Sequence, residues 1–276
     1  MINNIKKFNG HEFKKSLGQN FISDSNLLKS ICNDAGITKE DLVLEIGAGG
    51  GTLTNYICKN AKKVVSLEVD RSLETLLNEV VAQNSNLNVV YADIMKINLD
   101  VIDDYFKEKV ISYKVVANLP YYITTPIIFK LFSDNLRLTS ITIMVQKEVA
   151  ERMVATTGTE NYGVLSVMVQ YFGEAKIKRI VKKTNFYPMP KVDSAIVRID
   201  LYKNIDKNFS THFEKVVKCA FQNRRKKLTS NLSGGLAVCK DDCIKALESL
   251  GYNENVRAEE LSSNDFVKLT KLLLNN

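Results

Sequence analysis

The sequence has few of the residues from which metal and redox sites are built. It has two histidines, and its five cysteines include no C-x-x-C pair. A zinc site is therefore not expected, and we predict no metal. The odd number of cysteines and the absence of paired spacing are typical of reduced, mostly buried thiols in a cytoplasmic protein. These cysteines are Cys32, Cys58, Cys219, Cys239 and Cys243.

Long apolar runs are also missing. No run approaches the roughly 18 apolar residues that a membrane-spanning helix needs, and the first residues carry lysines without the apolar core of a signal peptide. No internal repeat or low-complexity segment is visible. We therefore expect a soluble, intracellular protein that does not bind a membrane, with an ordinary core for its 276 residues.

Positive charge is abundant and unevenly spread. The net charge is +7, yet residues 1–20, 174–191 and 218–227 together carry +13, so the remainder is close to −6. One such run is usually a solvated face, but three separate runs favour a polyanionic partner.

The chain divides by pattern into an α/β part and a helical part. Short apolar runs that read as strands alternate with helical stretches up to Leu201. The strand pattern ends in the polar segment 203–210, and everything after it reads as helix. We predict a first domain at residues 1–203 and a helical domain at 204–276.

A glycine loop follows the first buried strand. Leu42–Ile46 leads into Gly47-Ala-Gly49-Gly50-Gly51-Thr52 and then a helix, an order typical of a nucleotide or adenosine site. A dinucleotide fingerprint would need glycine where Thr52 stands. The loop therefore favours a cofactor without a pyrophosphate over NAD.

Acidic residues stand at the ends of the next two predicted strands. Glu68 lies 21 residues after Gly47, where the ribose-binding acid of such folds is found, and Asp93 ends the following strand. Either one alone could be an exposed acid at a helix start. Two at successive strand ends favour an adenosine pocket, with Glu68 on the ribose hydroxyls and Asp93 on the adenine amino group.

A proline ends the fourth predicted strand within Asn118-Leu119-Pro120-Tyr121. The Asn118 amide oxygen and a carbonyl of Leu119 or Pro120 could accept both hydrogens of one exocyclic amine, and Tyr121 offers a ring for stacking. Such acceptors favour a pyramidal nitrogen with an available lone pair, so no strong base is needed. The alternative is a plain turn with Tyr121 in the core. After this turn, Thr125 is predicted to cap a helix with Pro126 at its first position.

Phe186 lies in a loop held extended by two prolines, Phe186-Tyr-Pro-Met-Pro-Lys-Val-Asp-Ser194. It could be a second wall that clamps a base. The alternative, an aromatic side chain plugging the end of the sheet, has comparable weight on this segment alone.

Taken together, these motifs resemble the S-adenosylmethionine-dependent ribosomal RNA adenine dimethyltransferases, in particular the branch that acts on small-subunit RNA. The resemblance extends to Lys14-Lys-Ser-Leu-Gly-Gln-Asn-Phe21, Asn118-Leu-Pro-Tyr-Tyr-Ile-Thr-Thr-Pro126 and Phe221-Gln-Asn-Arg-Arg-Lys-Lys-Leu228. It implies a Rossmann-like seven-stranded methyltransferase sheet, a small all-helical carboxyl-terminal domain, and dimethylation of N6 on two adjacent adenosines near the 3′ end of 16S ribosomal RNA.

The resemblance also assigns residue roles. Catalysis falls to the Asn118–Tyr121 segment with Phe186, and Tyr121 and Phe186 would sandwich the base. S-adenosylmethionine would be bound by Gln19, Asn20, Ile22, Gly47, Gly49, Glu68, Asp93, Ile94 and Asn118. RNA would be bound by Lys14, Lys15, Arg224, Arg225, Lys226 and Lys227. One departure is Tyr122, since many relatives have asparagine there.

Three alternatives remain at this stage. One is an enzyme of the same chemistry that methylates large-subunit (23S) RNA and confers macrolide resistance. This alternative is disfavoured by Leu119, by Thr125-Pro126 and by the basic turn after Phe221. Another is a ribosome assembly or RNA-binding factor that lost the reaction. An NAD oxidoreductase is disfavoured by Thr52. The expected partner is the immature small ribosomal subunit, and the expected state is a monomer.

Overall fold

The computed structural model describes residues 7–8, 11–12, 21–22, 24–134 and 137–274. The predicted contacts of Lys14, Lys15, Gln19 and Asn20 lie outside these residues. The described part forms two compact units. One comprises Met1–Ala150 with Lys176–Leu201, and the other comprises Glu151–Ala175 with Tyr202–Asn276.

The first unit is built on a seven-stranded sheet. Its strands are β4 Leu42–Ile46, β5 Lys63–Glu68, β6 Leu87–Tyr91, β7 Tyr113–Asn118, β8 Leu138–Gln146, β9 Gly173–Val181 and β11 Ser194–Leu201. Their order in the sheet is β6-β5-β4-β7-β8-β11-β9. The strands β4 to β8 pair in parallel along this order, and β11 pairs antiparallel with β8. The predicted α/β class with a seven-stranded Rossmann-like sheet is confirmed.

Four two-residue strands form separate pairs. They are β1 Lys7–Phe8 with β2 His11–Glu12, and β3 Phe21–Ile22 with β10 Phe186–Tyr187, both antiparallel. The second pair brings residues from distant parts of the chain side by side, with Phe186 opposite Ile22.

Helices connect the parallel strands, as the crossover rule for such sheets requires. The connecting helices are α2 Thr52–Asn60, α3 Glu74–Gln83, α4 Ile102–Phe106 and α5 Thr124–Asp134, whereas α1 Ser25–Asp34 precedes β4 and α6 Lys147–Met153 follows β8. The central strand β4 is buried along its whole length, which explains why it is a continuous apolar run interrupted only by Glu45. The Asp24 carboxylate caps α1 by accepting from the Asn26 and Leu27 amides.

The predicted start of α5, with Pro126 as the first helical residue, was wrong by two residues. A 3-10 turn at Tyr121–Ile123 precedes the helix, which begins at Thr124, so Thr125 is already helical and Pro126 is its third residue. The turn forms because the Ile123 amide donates to the Pro120 carbonyl. Proline remains compatible with this position because the amides of the first helical turn have no partner within the helix.

The second unit is helical. Its helices are α7 Val164–Phe172, α8 Lys207–Ala220, α9 Leu228–Gly235, α10 Lys240–Ser249 and α11 Ser263–Leu274. Tyr162, Phe213 and Phe266 are fully buried in it, and the Tyr162 hydroxyl donates to the Leu261 carbonyl at 3.0 Å.

The division into units differs from the boundary predicted at 203/204. One break, between Leu201 and Tyr202, falls close to it, but residues 151–175 group with the second unit. The reason is the packing of α7, whose apolar face contacts α8 and α11. The Ser263 hydroxyl also donates to the Val167 carbonyl. This long-range packing is invisible in the local pattern, which only indicates that α7 is a helix.

Candidate active site

Most of the predicted catalytic and cofactor-binding residues lie at one edge of the sheet. The strands β4, β5, β6 and β7 are parallel, so their carboxyl ends lie together. Ile46, the last residue of β4, is paired with Leu67 on one side and Ala117 on the other. Gly47, Glu68 and Asn118 each come directly after one of these three paired residues. They therefore lie next to one another at the carboxyl ends of adjacent strands.

The glycine loop is fixed at this edge by its backbone. The Gly47 and Ala48 amides both donate to the Leu67 carbonyl, at 2.9 and 3.2 Å. Gly47 and Gly49 have φ of 81° and 56°, a conformation that residues with a Cβ atom rarely adopt. At Gly51, with φ 76°, an added Cβ atom would lie 2.6 Å from a methyl carbon of Val80. The loop therefore requires glycine for its backbone shape and, at Gly51, for its packing on α3.

Glu68 is a buried carboxylate oriented by three backbone amides. Its Oε2 accepts from the Gly49 amide at 2.7 Å, and its Oε1 accepts from the Val69 and Asp70 amides at 2.9 and 2.8 Å. The residue is 6% exposed, so the alternative of an exposed acid at a helix start does not apply. Asp70 caps the following turn instead. A carboxylate has about four acceptor positions, so Glu68 retains capacity for a further donor such as a hydroxyl.

Asp93 lies beside Glu68, because the Ala92 amide donates to the Glu68 carbonyl at 2.9 Å. Its own Oδ1 accepts from the Met95 amide at 2.9 Å, so it stabilises a turn as well. The Asp93 side chain is 34% exposed, whereas Ile94 is buried. The Asp93 carboxylate is therefore accessible at the strand end. This position fits both an acceptor for the adenine amino group and an exposed acid at the start of a helix.

The Asn118–Tyr121 turn presents acceptors at the end of β7. Asn118 is half-buried and ends the strand, and Leu119 is buried. The Pro120 carbonyl accepts from both the Ile123 amide and the Thr124 hydroxyl, each at 3.2 Å. Because a carbonyl has two lone pairs, its capacity is used within the turn. Of the two carbonyls considered from sequence, the Leu119 carbonyl is thus the better candidate acceptor.

Tyr121 is anchored through its hydroxyl. This group forms a 2.7 Å hydrogen bond with the hydroxyl of Ser194, the first residue of β11. Burial raises the pKa of Tyr121, and the Ser194 hydrogen bond opposes that rise. The ring is half-buried and held between two strand ends. Ser194 ends the Phe186–Ser194 segment, but nothing in the sequence indicates that it anchors Tyr121.

Phe186, predicted to clamp the base, and Ile22, predicted to lie beside the cofactor, are opposite each other on paired strands. Both are 4% exposed and belong to one apolar cluster of the first unit. The structure therefore has Phe186 as an aromatic side chain filling the end of the sheet, the alternative considered above. Its neighbour Tyr187 is 41% exposed, since side chains alternate along a strand. A clamp between Tyr121 and Phe186 requires that the Phe186 ring be uncovered, and it stays a prediction.

Glu45 is a titratable group that the sequence reasoning left without a role. It lies on β4 two residues before Gly47, is completely buried, and accepts a short hydrogen bond from the Ser66 hydroxyl of β5. Burial raises the pKa of the Glu45 carboxyl to about 7; the hydrogen bond from Ser66 opposes this and the charge of Glu68 adds to it. The sequence contains one signal for this buried group, which is a single acidic residue inside an otherwise apolar strand.

The predicted RNA-binding residues of the second unit fall into two kinds. Arg224 donates to the Glu160 carbonyl at 3.0 Å and the Tyr162 carbonyl at 3.3 Å, and Lys227 pairs with Glu254 at 3.2 Å. Arg225 and Lys226 are exposed, and no ion pair of theirs is found within the described part of the chain. Arg224 thus has a structural role, while Arg225 and Lys226 present their charge to solvent.

The described residues contain neither a metal-binding cluster nor a membrane-spanning helix. Among residues 7–8, 11–12, 21–22, 24–134 and 137–274, no cluster of three or more His, Cys, Asp or Glu side chains could hold a metal ion. Within the same ranges, no helix is both long and apolar enough to cross a membrane.

The residues at this edge fit an adenosine-bearing cofactor. The glycines at 47 and 49 leave the backbone uncovered by side chains, Glu68 has acceptor capacity left, and Asp93 is accessible beside it. No glycine stands where a pyrophosphate-binding loop needs its third one.

Comparison with known proteins gives consistent results. Residues 10–275 match the family model described as ribosomal RNA adenine dimethylase. Proteins named ribosomal RNA small subunit methyltransferase A are 42% identical in Listeria welshimeri, over 98% of this chain and 93% of that protein, and 43% identical in Ligilactobacillus salivarius, over 96% and 91%.

Solved structures agree with the fold. A dimethyladenosine transferase from Plasmodium falciparum superposes with a TM-score of 0.74 at 28% identity, covering 90% of this chain and 95% of that one. The 23S rRNA methyltransferase ErmE has a TM-score of 0.67 at 24% identity, covering 92% and 99%, and supports the fold alone. On these matches over nearly its full length, the chain belongs to the ribosomal RNA adenine dimethylase family.

Proposed function

We propose that this protein transfers methyl groups from S-adenosylmethionine to N6 of two adjacent adenosines near the 3′ end of 16S ribosomal RNA, during assembly of the small subunit. One observation carries the proposal: two features lie together at the ends of neighbouring, paired strands. The first is a glycine loop that fits an adenosine and is held by Glu68. The second is the pair of acceptors at Asn118 and Leu119. The names of the full-length relatives supply the substrate class.

The cofactor, when bound, supplies an electrophilic methyl group on a sulfonium. The chain supplies binding and orientation. Gly47 and Gly49 allow close approach of the backbone, Glu68 accepts from the ribose hydroxyls, and Asp93 accepts from the adenine amino group. Since three amides fix the Glu68 carboxylate, it is ready to accept before any ligand arrives.

At the target base, the Asn118 amide oxygen and the Leu119 carbonyl accept the two N6 hydrogens. These bonds favour a pyramidal nitrogen whose lone pair points toward the methyl donor. The target must leave its stack to reach this position, and the anchored Tyr121 ring gives it a surface to stack on. No strong base is required, which suits a turn that contains no His, Asp or Glu.

The helical residues 204–276 are proposed to bind the ribosomal substrate. Arg225 and Lys226 are the candidates there, because their side chains are exposed. We further propose that the protein acts as a monomer in the cytoplasm, on the immature small subunit.

The direct test is mass spectrometry of ribosomal RNA from cells with and without this gene. We expect dimethyladenosine pairs near the 3′ end of 16S RNA only in cells that carry the gene. In vitro, the protein should methylate immature small subunits and leave protein-free 23S RNA unmodified. Modification of 23S RNA alone would establish the large-subunit alternative. A protein that binds subunits but not the cofactor would be an assembly factor.

A matched variant tests the role of the turn. Asn118→Ala is expected to abolish methyl transfer while RNA affinity stays close to that of the native protein, because Asn118 acts at the reacting nitrogen. Calorimetry with S-adenosylmethionine verifies that the variant still folds and binds. Full activity of the variant would refute the assigned role.

A further inference from the structure

An exposed surface of the first unit combines apolar side chains with lysines next to the Asn118–Tyr121 turn. Tyr122 is 65% exposed, Met189 61%, Val192 45% and Tyr187 41%. These four residues are among the few large apolar side chains that the described structure leaves in solvent. Scattered single residues of this kind need no explanation, but several around one candidate site do.

Hydrogen bonds bring the segments that carry these residues to the same end of the sheet. The Tyr121–Ser194 bond joins the turn that contains Tyr122 to the start of β11, two residues after Val192. The loop that carries Tyr187 and Met189 is closed at its base, because the Lys183 amide donates to Asp193 Oδ1 at 2.9 Å. The Lys147 amide donates to the Asp193 carbonyl at 3.0 Å and so ties this loop to the end of β8.

The same segment is positively charged. Lys182, Lys183 and Lys191 are exposed, and no ion pair of theirs is found among the residues that the structure describes. Asp193 is the one acidic residue in the sequence from 182 to 193, and its Oδ1 is engaged by the Lys183 amide. We call Tyr122, Tyr187, Met189, Val192, Lys182, Lys183 and Lys191 the Tyr122 platform.

We propose, resting on the proposed function, that the Tyr122 platform binds the unpaired nucleotides flanking the target adenosine. A base stacks on the exposed Tyr122 ring, and the lysines contact the phosphates. An adenosine that leaves its stack is flanked by backbone that needs support, and aromatic rings interleaved with cations are the usual platform for single-stranded RNA. A protein partner fits less well, because protein interfaces are depleted of lysine.

The first test measures binding separately from methylation. A single-stranded RNA oligonucleotide with two adjacent adenosines is titrated into the full-length protein by fluorescence anisotropy. Tyr122→Ala is expected to weaken binding about 10-fold, and Tyr122→Phe to retain it, since stacking needs the ring and not the hydroxyl. Tyr122 lies in an exposed turn, so both variants are expected to fold.

Charge is tested by the salt dependence of the same binding. Replacing Lys182 and Lys183 by Ala should reduce the slope of log K against log salt by about 0.7 for each lost phosphate contact. The matched controls lie at the opposite edge of the sheet: Lys39→Ala, Lys109→Ala, and Ile111→Ala, whose side chain is 83% exposed just before β7. These are expected to change neither affinity nor slope.

The second test uses methyl transfer to immature small subunits. Tyr122→Ala should raise the KM for the particle about 10-fold and leave kcat close to native, because the ring holds neighbouring nucleotides and not the reacting nitrogen. A rise in KM for the particle without any loss of oligonucleotide binding would overturn the proposal in favour of a ribosomal protein as the partner. Equal defects in Tyr122→Phe and Tyr122→Ala would also overturn it.

The two proposals can fail separately. If the native protein methylates the particles and Tyr122→Ala changes neither affinity nor KM, the proposed function stands and the platform is wrong. If the native protein transfers no methyl group but its oligonucleotide binding depends on the Tyr122 ring and on the lysines, the platform stands and the proposed function is wrong.

Discussion

The pKa of Glu45 predicts an unusual dependence of stability on pH. The carboxyl is completely buried, and its pKa is raised from an ordinary 4.5 to about 7 because burial disfavours the charged form and the charge of Glu68 adds to this effect. The folded protein therefore binds a proton that the unfolded chain releases between these two values. Replacing Glu45 by Gln supplies a neutral side chain of the same shape and removes this titration.

The sign follows from proton linkage. A group whose pKa is raised on folding stabilises the protein fully below pH 4.5, and the stabilisation is lost as the pH rises to about 7. Each pH unit between the two values is worth about 1.4 kcal/mol, so the loss amounts to roughly 3 kcal/mol. This is a large part of the roughly 5–15 kcal/mol by which a domain is stable.

The assay is urea unfolding from pH 5 to pH 9. Unfolding is monitored by hydrogen exchange of peptides that contain β4, because a chain with two compact units does not have to unfold in one step. Glu45→Gln and the native protein should be about equally stable at pH 5, and the variant should be more stable by roughly 3 kcal/mol at pH 8. Both proteins contain the same two histidines, so the histidine contributions cancel in the difference.

The control is Glu40→Gln, because Glu40 is exposed close to the start of β4. This variant should follow the native pH dependence throughout. If Glu45→Gln shows the same slope as the native protein, or is less stable at every pH, the carboxyl is ionised in the folded state and the reasoning from burial is refuted.

Three other predictions concern the cofactor loop and the basic turn. Glu68→Ala should weaken S-adenosylmethionine binding by at least about 10-fold in calorimetry, since it removes the acceptor and frees the Gly49 amide; unchanged affinity would contradict the ribose role. Gly51→Ala should lower the free energy of unfolding by about 1–3 kcal/mol, because φ is 76° and the added methyl group meets Val80; a melting temperature equal to the native one would contradict this. Replacing Arg225 and Lys226 together by Ala should weaken RNA binding and flatten its salt dependence with stability unchanged, whereas Arg224→Ala should mainly lower stability, because its carbonyl contacts are lost.

The elements that are continuous in sequence could be predicted from it. The last strand, β11, ends at Leu201, where the strand pattern was predicted to end, and the buried strand β4, the glycine loop and α2 follow one another as expected. Each of these depends on a local pattern of apolar, glycine and capping residues. The strand-end positions of Gly47, Glu68 and Asn118 follow from the same patterns, because parallel strands bring their carboxyl ends together.

Features that depend on distant residues could not be predicted. The burial of Phe186 depends on pairing with Ile22, more than 160 residues earlier in the chain, and the grouping of 151–175 with the second unit depends on the packing of α7. The Tyr121–Ser194 bond is also a tertiary detail, because its two residues lie 73 positions apart. In each case the local sequence contains the residue but not its partner, which lies far away in the chain.

The register of the central strands is what makes the site possible. Leu44 is paired with Val65 on one side and Val115 on the other, and all three are fully buried. A slip of one residue would move the side chains of β4 to the opposite face, which is also buried, and would break the close packing of both faces, so the apolar core fixes the register. The same register sets Gly47 beside the residues that follow Leu67 and Ala117. The acceptors for the cofactor and for the target amine are therefore positioned by the core of the sheet, and the turn residues need only supply the correct atoms at its edge.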